Sequence, residues 1–402
     1  MFEKSVAVAG LLAFFAACDG KSLEPQVVAR DSAGTTILVS NAPKWSPGEE
    51  WRIDPDPFLQ IGVVDGDSVY QFFRVFSAVR LSDGRIVTAD QTTNRLRFFG
   101  LDGQFLKSVG GKGSGPGEFE GLFQVTRLTA DSLLAYDGRL RRVMLLDSTG
   151  KAVSTMTLAQ PGPEPIAGAL RLSDGRIVSA TGWSSAQLKP PIESGLSRSP
   201  SPVFVFGSSG EVTDTVGTFP GMDMAVTSED GRITMSLPPF GHTLSMAVRG
   251  EQILIGTGDS YEVREFTPAG RLLRILRGPD ADLSLDPAGL RAFRQANLDL
   301  LPDAETRSRE ERRLATVPLP ERKPAFSRML VDAAGHLWLS PFESFAYMER
   351  AWTVVHPEGA YLGTVMAPQG LRVLDVGEDY VLGRWQDESQ VEYIRLHRLI
   401  KP

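Results

Sequence analysis

An eight-residue sequence that occurs twice in this 402-residue chain constrains its fold most strongly. Residues 80–87 and residues 171–178 both read RLSDGRIV, and a degenerate copy at residues 127–134 lies about midway between them. The repeat period is therefore about 45 residues, which is the length of one blade in β-propellers. Such a period predicts a series of similar units, each of which buries its faces against its neighbours.

Each repeat consists of short β-type runs separated by turn residues. Asp102 and Gly103 separate two apolar runs in the first repeat, a strong hairpin signal because glycine readily adopts a positive φ. The pattern predicts an antiparallel meander of four strands, and weaker copies bring the count to six units over residues 51–402. We therefore predict an all-β fold, a six-bladed β-propeller of four-stranded antiparallel blades.

The last repeat lacks an obvious fourth strand. We predict that an N-terminal strand, around residues 51–53 or 58–61, completes this blade and closes the ring between the two chain ends. Closure is physically favourable because it removes the open sheet edge that an incomplete blade would leave.

Two insertions interrupt the period. The first, at about residues 181–200, is rich in Ser and Pro and is predicted to be a loop. The second, at about residues 279–325, is predicted to be helical, because Asp286 suits an N-cap and Pro287 suits the first helical position. A long insertion in a compact domain is usually functional or disordered, so the helical segment is a candidate lid or partner-docking element.

The N-terminus resembles a targeting sequence. The apolar run at residues 6–17 is shorter than the ~20 residues that span a bilayer, and residues 1–17 fit a signal peptide. The only cysteine, Cys18, follows Phe-Ala-Ala, which resembles the lipobox of bacterial lipoproteins. The resemblance implies that Cys18 is acylated, with residues 18–50 as a lipidated tether. The alternatives are an ordinary signal peptide with an incidental cysteine, or a core helix.

The residue after Cys18 also bears on localisation. In proteobacterial lipoproteins, an aspartate at that place resembles a signal for retention in the inner membrane, and Asp19 stands there. The resemblance therefore implies a lipid-anchored protein of the bacterial cell envelope that faces the periplasm, with the inner membrane favoured.

Residues 86–119 carry a second resemblance. Their sequence, IVTADQTTNRLRFFGLDGQFLKSVGGKGSGPGEF, is similar to an NHL repeat, and more so to bacterial six-bladed β-propeller lipoproteins related to NHL proteins. The similarity is specific in the first blade and weakens beyond residue 220, although the pattern covers about residues 50–400. It implies a propeller fold and little about chemistry.

Composition and motifs narrow the functional classes. A net charge of −7 argues against a nucleic-acid partner, which requires a basic face. No Gly-x-Ser-x-Gly elbow occurs, and the glycine-rich residues 110–117 lead into a further strand instead of the helix that a phosphate-binding loop requires. The four histidines have no metal-binding spacing. No catalytic set is recognisable, so we expect a non-catalytic binding or scaffold protein for a protein, peptide or glycan partner.

The alternative function is a metal-dependent hydrolase or lyase. Six-bladed propeller lactonases, a related class by fold, hold a divalent metal on the axis with carboxylates. Asp90 and Asp137 occupy equivalent repeat positions, and Asp332 is a further candidate by residue type. Equivalent positions also suit one repeated structural hydrogen bond, so we otherwise expect no cofactor.

The innermost strands of the predicted blades supply a candidate binding site. Polar side chains fall near the starts of four of them, at Arg74, Gln124, Arg328 and Arg372. Because these strands run in register around the axis, the four side chains are predicted to meet at one channel mouth. Arginine binds carboxylate or phosphate through two parallel hydrogen bonds, so the mouth is predicted to bind an anionic group. The alternative is a rim of solvated arginines.

Overall fold

The computed structural model describes residues 27–32, 34–188, 192–229, 232–301, 303–342 and 350–402. The predicted signal peptide, Cys18 and Asp19 lie outside these residues.

The described chain contains 27 β-strands, all of them in six sheets, and two α-helices. The N-terminal strands are β1 (Val28–Ser32), β2 (Thr35–Val39) and β3 (Arg52–Ile61). The first blade contains β4 (Val75–Arg80), β5 (Ile86–Asp90), β6 (Arg95–Phe99) and β7 (Phe105–Gly110). The second contains β8 (Leu122–Arg127), β9 (Leu133–Asp137), β10 (Arg142–Leu146) and β11 (Ala152–Thr157). The third contains β12 (Ile166–Arg171), β13 (Ile177–Thr181), β14 (Gly195–Phe206), β15 (Val212–Glu229) and β16 (Arg232–Ser236).

The second half of the chain forms the other three blades. The fourth contains β17 (Ser245–Arg249), β18 (Gln252–Gly256), β19 (Glu262–Phe266) and β20 (Leu272–Arg277). Two helices follow, α1 (Pro287–Asp299) and α2 (Ala304–Thr316). The fifth blade contains β21 (Arg328–Val331), β22 (Leu337–Ser340), β23 (Ala351–Val355) and β24 (Tyr361–Met366). The sixth contains β25 (Leu371–Val376), β26 (Tyr380–Gln386) and β27 (Glu392–Ile400), completed by β3.

The predicted six-bladed architecture is confirmed. Within each blade, strands that follow one another in the chain pair antiparallel, and the first strand of each blade contacts the first strand of the next around a closed ring. All six innermost strands therefore run in the same direction. We call the face at which they begin the upper face and the face at which they end the lower face.

The ring closes between the chain ends, at the place that the sequence predicts. Strand β3 pairs antiparallel with β27, with Ile61 opposite Ile394 and Ile53 opposite Leu399. The N-terminal strand is thus the outermost strand of the blade that the C-terminus forms, and no incomplete blade edge remains there.

The repeated octapeptide forms the same turn in the first and third blades. Gly84 and Gly175 have φ values of 90° and 96°, which L-residues with a side chain rarely adopt. Before each glycine, an aspartate accepts a hydrogen bond from the backbone N–H two residues on, at 3.1 Å for Asp83 and 3.0 Å for Asp174. The sequence repeat therefore encodes the hairpin between the two inner strands of a blade.

The hydrophobic core is divided among the six blade interfaces, each of which has its own cluster of buried side chains. The interface between blades one and two contains Phe98 and Phe119, both fully buried, and that between blades five and six contains Trp338 and Trp352. Each blade is therefore stabilised mainly by its two neighbours, as expected for a unit that cannot bury both faces alone.

Two segments differ from the sequence-based expectations. The first insertion is only partly a loop, because β14 begins at Gly195. Its first half pairs with the long strand β15 beyond the upper-face end of β13. Pro200 and Pro220 face each other at an irregularity in this ladder, where neither can donate a hydrogen bond. Within the segment assigned to a tether, β1 and β2 form a hairpin, and β2 pairs in parallel with β20. This part therefore adds two strands to the fourth blade.

The second insertion is helical, as predicted. Asp286 caps α1 by accepting hydrogen bonds from the backbone N–H groups of Ala288 and Gly289, at 3.0 and 3.1 Å. The helices connect β20 to β21 and therefore lie at the upper face, where Phe293 and Leu314 pack against Phe240 and Phe342. Among the described residues, no helix has the length and apolar character needed to cross a membrane.

Candidate functional site

A channel lies along the propeller axis. Its walls come from the innermost strands of all six blades, and its volume is about 500 Å³. A second cavity of about 340 Å³ lies at the upper face, lined by residues of the β16–β17 connection together with the starts of β21 and β25. We call it the upper pocket. Cavities of this size are typical of sites for small organic ligands.

Arg328 and Arg372 line both cavities and therefore mark the upper mouth of the channel. Arg328 is the first residue of β21 and Arg372 the second residue of β25, as the predicted register requires. The Arg328 guanidinium donates a hydrogen bond to the Val373 carbonyl oxygen, at 2.7 Å, which brings it beside the residue that follows Arg372. Both side chains are half-buried and make further contacts within the chain.

The other two predicted mouth residues are placed differently. The Gln124 side chain lines the channel, but its amide nitrogen donates to the Ala169 carbonyl oxygen and its amide oxygen accepts from the Ala169 N–H, at 2.9 and 3.1 Å. This amide therefore links the second blade to the third. Arg74 is exposed, has a φ of 59°, and lies over the Phe73 ring instead of lining the channel. The structure thus brings Gln124, Arg328 and Arg372 to the channel. The two arginines lie at its upper mouth.

An exposed aromatic pair belongs to the same channel. Phe76 and Phe123, in the first and second blades, both line it, with ring centroids 6.0 Å apart and an interplanar angle of 27°. They remain 36% and 45% exposed, although most large apolar side chains on inner strands are covered. Exposed aromatic rings in a concave site offer apolar contact to a ligand.

An ion network supports the wall of the upper pocket. The two oxygens of buried Asp223 face His242 Nδ1 at 2.9 Å and Arg198 Nε at 3.6 Å. Arg198 also contacts Asp259 at 2.6 Å, which joins β14 to the β18–β19 turn. Burial alone would raise the pKa of Asp223, but the hydrogen bonds from His242 and the charge of Arg198 outweigh it and lower that pKa.

This network predicts acid sensitivity. Because the folded-state pKa of Asp223 lies below the ordinary value of 3.8, its stabilising effect is complete above that pH and is lost as pH falls through the folded value. Asp223→Ala is expected to cost about 1–3 kcal/mol near neutral pH, because it leaves buried N–H donors unsatisfied. In urea unfolding, this difference from the wild type should shrink below about pH 4. Asp280→Ala, at an exposed position, is the control; a difference independent of pH would contradict the assignment.

The lower end of the channel carries a second set of charges. Asp375 accepts hydrogen bonds from the Arg80 backbone N–H at 3.2 Å and from the Tyr380 hydroxyl at 2.9 Å. Burial raises the pKa of the Asp375 carboxyl, and these hydrogen bonds and the nearby Arg127 only partly offset it. Asp375 and Arg127 both line the channel, so its lower end combines a cation with a carboxyl group.

The candidate metal ligands have structural partners. Asp90 lies 2.9 Å from Arg97 and accepts the Thr93 N–H, and Asp137 accepts three backbone N–H groups. Neither lines the channel, whereas Asp332 does but accepts hydrogen bonds from its own turn and from the Trp338 indole. Within the described ranges, no three His, Cys, Asp or Glu side chains are grouped as a metal ion requires.

Comparisons with known proteins concern the fold. A sequence model of the family DUF5128, described as 6-bladed beta-propeller, matches residues 72–159, and no curated protein matches the chain. A member of the duf4221 family from Bacteroides vulgatus is 11% identical, with a TM-score of 0.49, over 88% of this chain and 99% of that one. A protein from Bacteroides fragilis described as exported is 12% identical, with a TM-score of 0.48, over 87% and 96% of the two chains.

Two enzymes are also among the similar structures. Virginiamycin B lyase from Staphylococcus aureus is 9% identical, with a TM-score of 0.41, over 87% of this chain and 99% of that one. A gluconolactonase from Xanthomonas campestris is 12% identical, with a TM-score of 0.40, over 81% and 88% of the two chains. The matched family description agrees with the six blades of the structure: this chain folds as a six-bladed β-propeller.

Proposed function

We propose that this protein is an exported, lipid-anchored propeller that binds, without catalysis, an anionic group of a peptide, protein or glycan at the upper mouth of its channel. The observation that carries the proposal is the position of Arg328 and Arg372, which line both the channel and the upper pocket. A ligand that enters from the upper face passes between these two cavities and meets both guanidinium groups.

The charges around the mouth favour an anion. Among the described residues, the one carboxylate that lines the upper pocket belongs to Asp223, whose oxygens are engaged by His242 and Arg198. Arg328 and Arg372 have contacts within the chain, but a guanidinium carries five N–H donors in a fixed fork and can share some of them with a bound carboxylate. The half-buried surroundings strengthen such contacts relative to the open surface.

The aromatic pair favours an organic ligand over an inorganic ion. Phe76 and Phe123 line the same channel in the first and second blades, whereas the two arginines belong to the fifth and sixth. A ligand held at its charged end by the arginines can therefore place an apolar or ring-shaped part in the channel against the two rings.

The binding proposal is tested with the full-length protein in detergent and two matched sugars. D-glucuronic acid and D-glucose differ by the carboxylate, and isothermal titration calorimetry is expected to detect the acid and not the neutral sugar. The affinity should fall as salt is raised, because the charge contacts are partly screened. Equal behaviour of the two sugars would refute the anionic site.

The lipid anchor is tested at Cys18. We expect the wild-type protein to incorporate labelled palmitate and to sediment with membranes, because two or more acyl chains anchor a protein stably. Cys18→Ser should abolish the label and move most of the protein to the soluble fraction. Separation of the inner and outer membranes then tests the role of Asp19, whose replacement is expected to change the membrane in which the protein resides. A Cys18→Ser protein that stays labelled would contradict the anchor.

A further inference from the structure

A small cavity of about 130 Å³, the side pocket, lies next to the channel mouth. It shares Met222 and Thr243 with the upper pocket and Met246 with the channel. Its volume is several times the ~10–15 Å³ that one water molecule needs. None of the described residues that line it is charged, so it suits a neutral group of a ligand whose charged group lies elsewhere.

Two polar atoms of residues that line the side pocket lack a hydrogen-bond partner among the described residues. They are the Thr181 hydroxyl and the indole Nε1 of Trp183; both are buried, and neither is paired with any part of the chain that the structure describes. Thr181 is only 5% exposed. A buried donor without a partner is unfavourable, and each such group in a native structure requires an explanation.

The repeat shows that blade three departs from its neighbours at this place. Thr181 stands 91 positions after Asp90, the same offset that separates the two octapeptides. In blades one and two, the aspartate at this position accepts N–H groups of the turn that follows. In blade three, a hydroxyl replaces the carboxylate and the turn is replaced by an insertion that carries Trp183. The usual structural role of the position is therefore absent.

The side-pocket lining matches one common functional group. An indole N–H only donates, whereas a threonine hydroxyl both donates and accepts. Small or methyl-bearing side chains complete the wall, among them Ala167, Ala180 and Met246. An acetamido group supplies a carbonyl oxygen for the indole, an N–H for the hydroxyl and a methyl group for the apolar wall.

We propose that the side pocket binds the N-acetyl group of an acidic amino sugar, whose carboxylate lies at Arg328 and Arg372. The inference rests on the proposed anionic site, since the arginines hold the same ligand. The aromatic pair formed by Phe76 and Phe123 fits this class, because the negative face of an aromatic ring attracts the C–H groups of a pyranose ring.

The test uses two acids that differ at one group. N-acetylneuraminic acid carries an acetamido group where deaminoneuraminic acid has a hydroxyl, and both carry a carboxylate. We expect the full-length protein to bind the first about tenfold more tightly, the effect of one or two net hydrogen bonds. Saturation-transfer NMR should give a strong signal at the acetyl methyl group. Equal affinities, or no binding of either acid, would overturn the inference.

Variants separate this inference from the anionic site. Thr181→Val together with Trp183→Phe should remove the tenfold preference and leave the affinity for D-glucuronic acid unchanged. Thr88→Val is the matched control, because the Thr88 hydroxyl is also buried without a described partner but lies outside all three cavities. A preference that survives the double variant overturns the side-pocket assignment alone. Loss of glucuronic acid binding in that variant would also contradict the side-pocket assignment, because glucuronic acid has no N-acetyl group.

Discussion

Replacement of Glu392 by alanine is expected to lower the free energy of unfolding by about 3–5 kcal/mol, the usual cost of breaking a buried ion pair. Glu392 is 2% exposed and lies 3.1 Å from Arg384, which is 4% exposed. Its second oxygen accepts the Val75 N–H, at 2.9 Å, from the first strand of the first blade. The substitution therefore removes a link between the sixth blade and the first, and it leaves the buried Arg384 guanidinium without this carboxylate.

Urea unfolding followed by tryptophan fluorescence measures this loss. Glu392→Gln keeps an acceptor for the Val75 N–H and should lose less stability than Glu392→Ala. Glu388→Ala, in the exposed turn before β27, is the control and should leave the midpoint unchanged within error. A Glu392→Ala protein as stable as this control would show that the contact between the last and first blades contributes little.

Loss of anion binding is the second large effect that we expect. Arg328→Gln and Arg372→Gln should each weaken the binding of D-glucuronic acid by about 10- to 100-fold, because hydrogen bonds to charged groups contribute about 1.5–3 kcal/mol. Glutamine retains much of the side-chain length and hydrogen-bonding capacity but removes the charge and the two-pronged donor. Calorimetric titration of each variant in low salt measures the loss.

Arg52→Gln provides the matched control for the charge change. Arg52 is exposed at the start of β3, the outermost strand of the sixth blade, and is therefore far from the axis. Its replacement should leave the affinity unchanged. If all three variants bound the acid as the wild type does, the mouth arginines would have no part in recognition, and the proposed site would be wrong.

The fold could be predicted from the sequence because the repeat carries it. The octapeptide encodes a hairpin turn that needs a glycine with positive φ, and its spacing sets the blade length. The missing last strand then requires a partner from the N-terminus, and β3 is that partner. These inferences depend on local turn chemistry and on the avoidance of open edges, both of which are readable along the chain.

The additions to the blades could not be predicted in the same way. Strand β14 extends through a stretch rich in Ser and Pro that has no β-type pattern, and its partner β15 runs over 18 residues. This strand pairs with β15 and contacts the fourth blade through Arg198 and Asp259, and no local pattern signals either contact. The attachment of β2 to β20 likewise joins segments more than 200 residues apart.

Part of the candidate site can be predicted from the register of the innermost strands. Arg328 and Arg372 could be predicted because both stand at the start of an innermost strand. Gln124 satisfies the same rule, but its amide is engaged by the neighbouring blade, and the backbone of Arg74 turns away before its strand begins. Strand register does not indicate Thr181, whereas comparison of the repeats identifies it as the place where threonine replaces a recurrent aspartate.

A crystal structure of the full-length protein with D-glucuronic acid would locate the bound anion. We expect the carboxylate at the upper mouth, within hydrogen-bonding distance (about 2.7–2.9 Å for a charged pair) of the guanidinium groups of Arg328 and Arg372. The sugar ring should lie toward the channel. An acid bound at the lower end beside Arg127, or on the outer surface of the blades, would contradict the account.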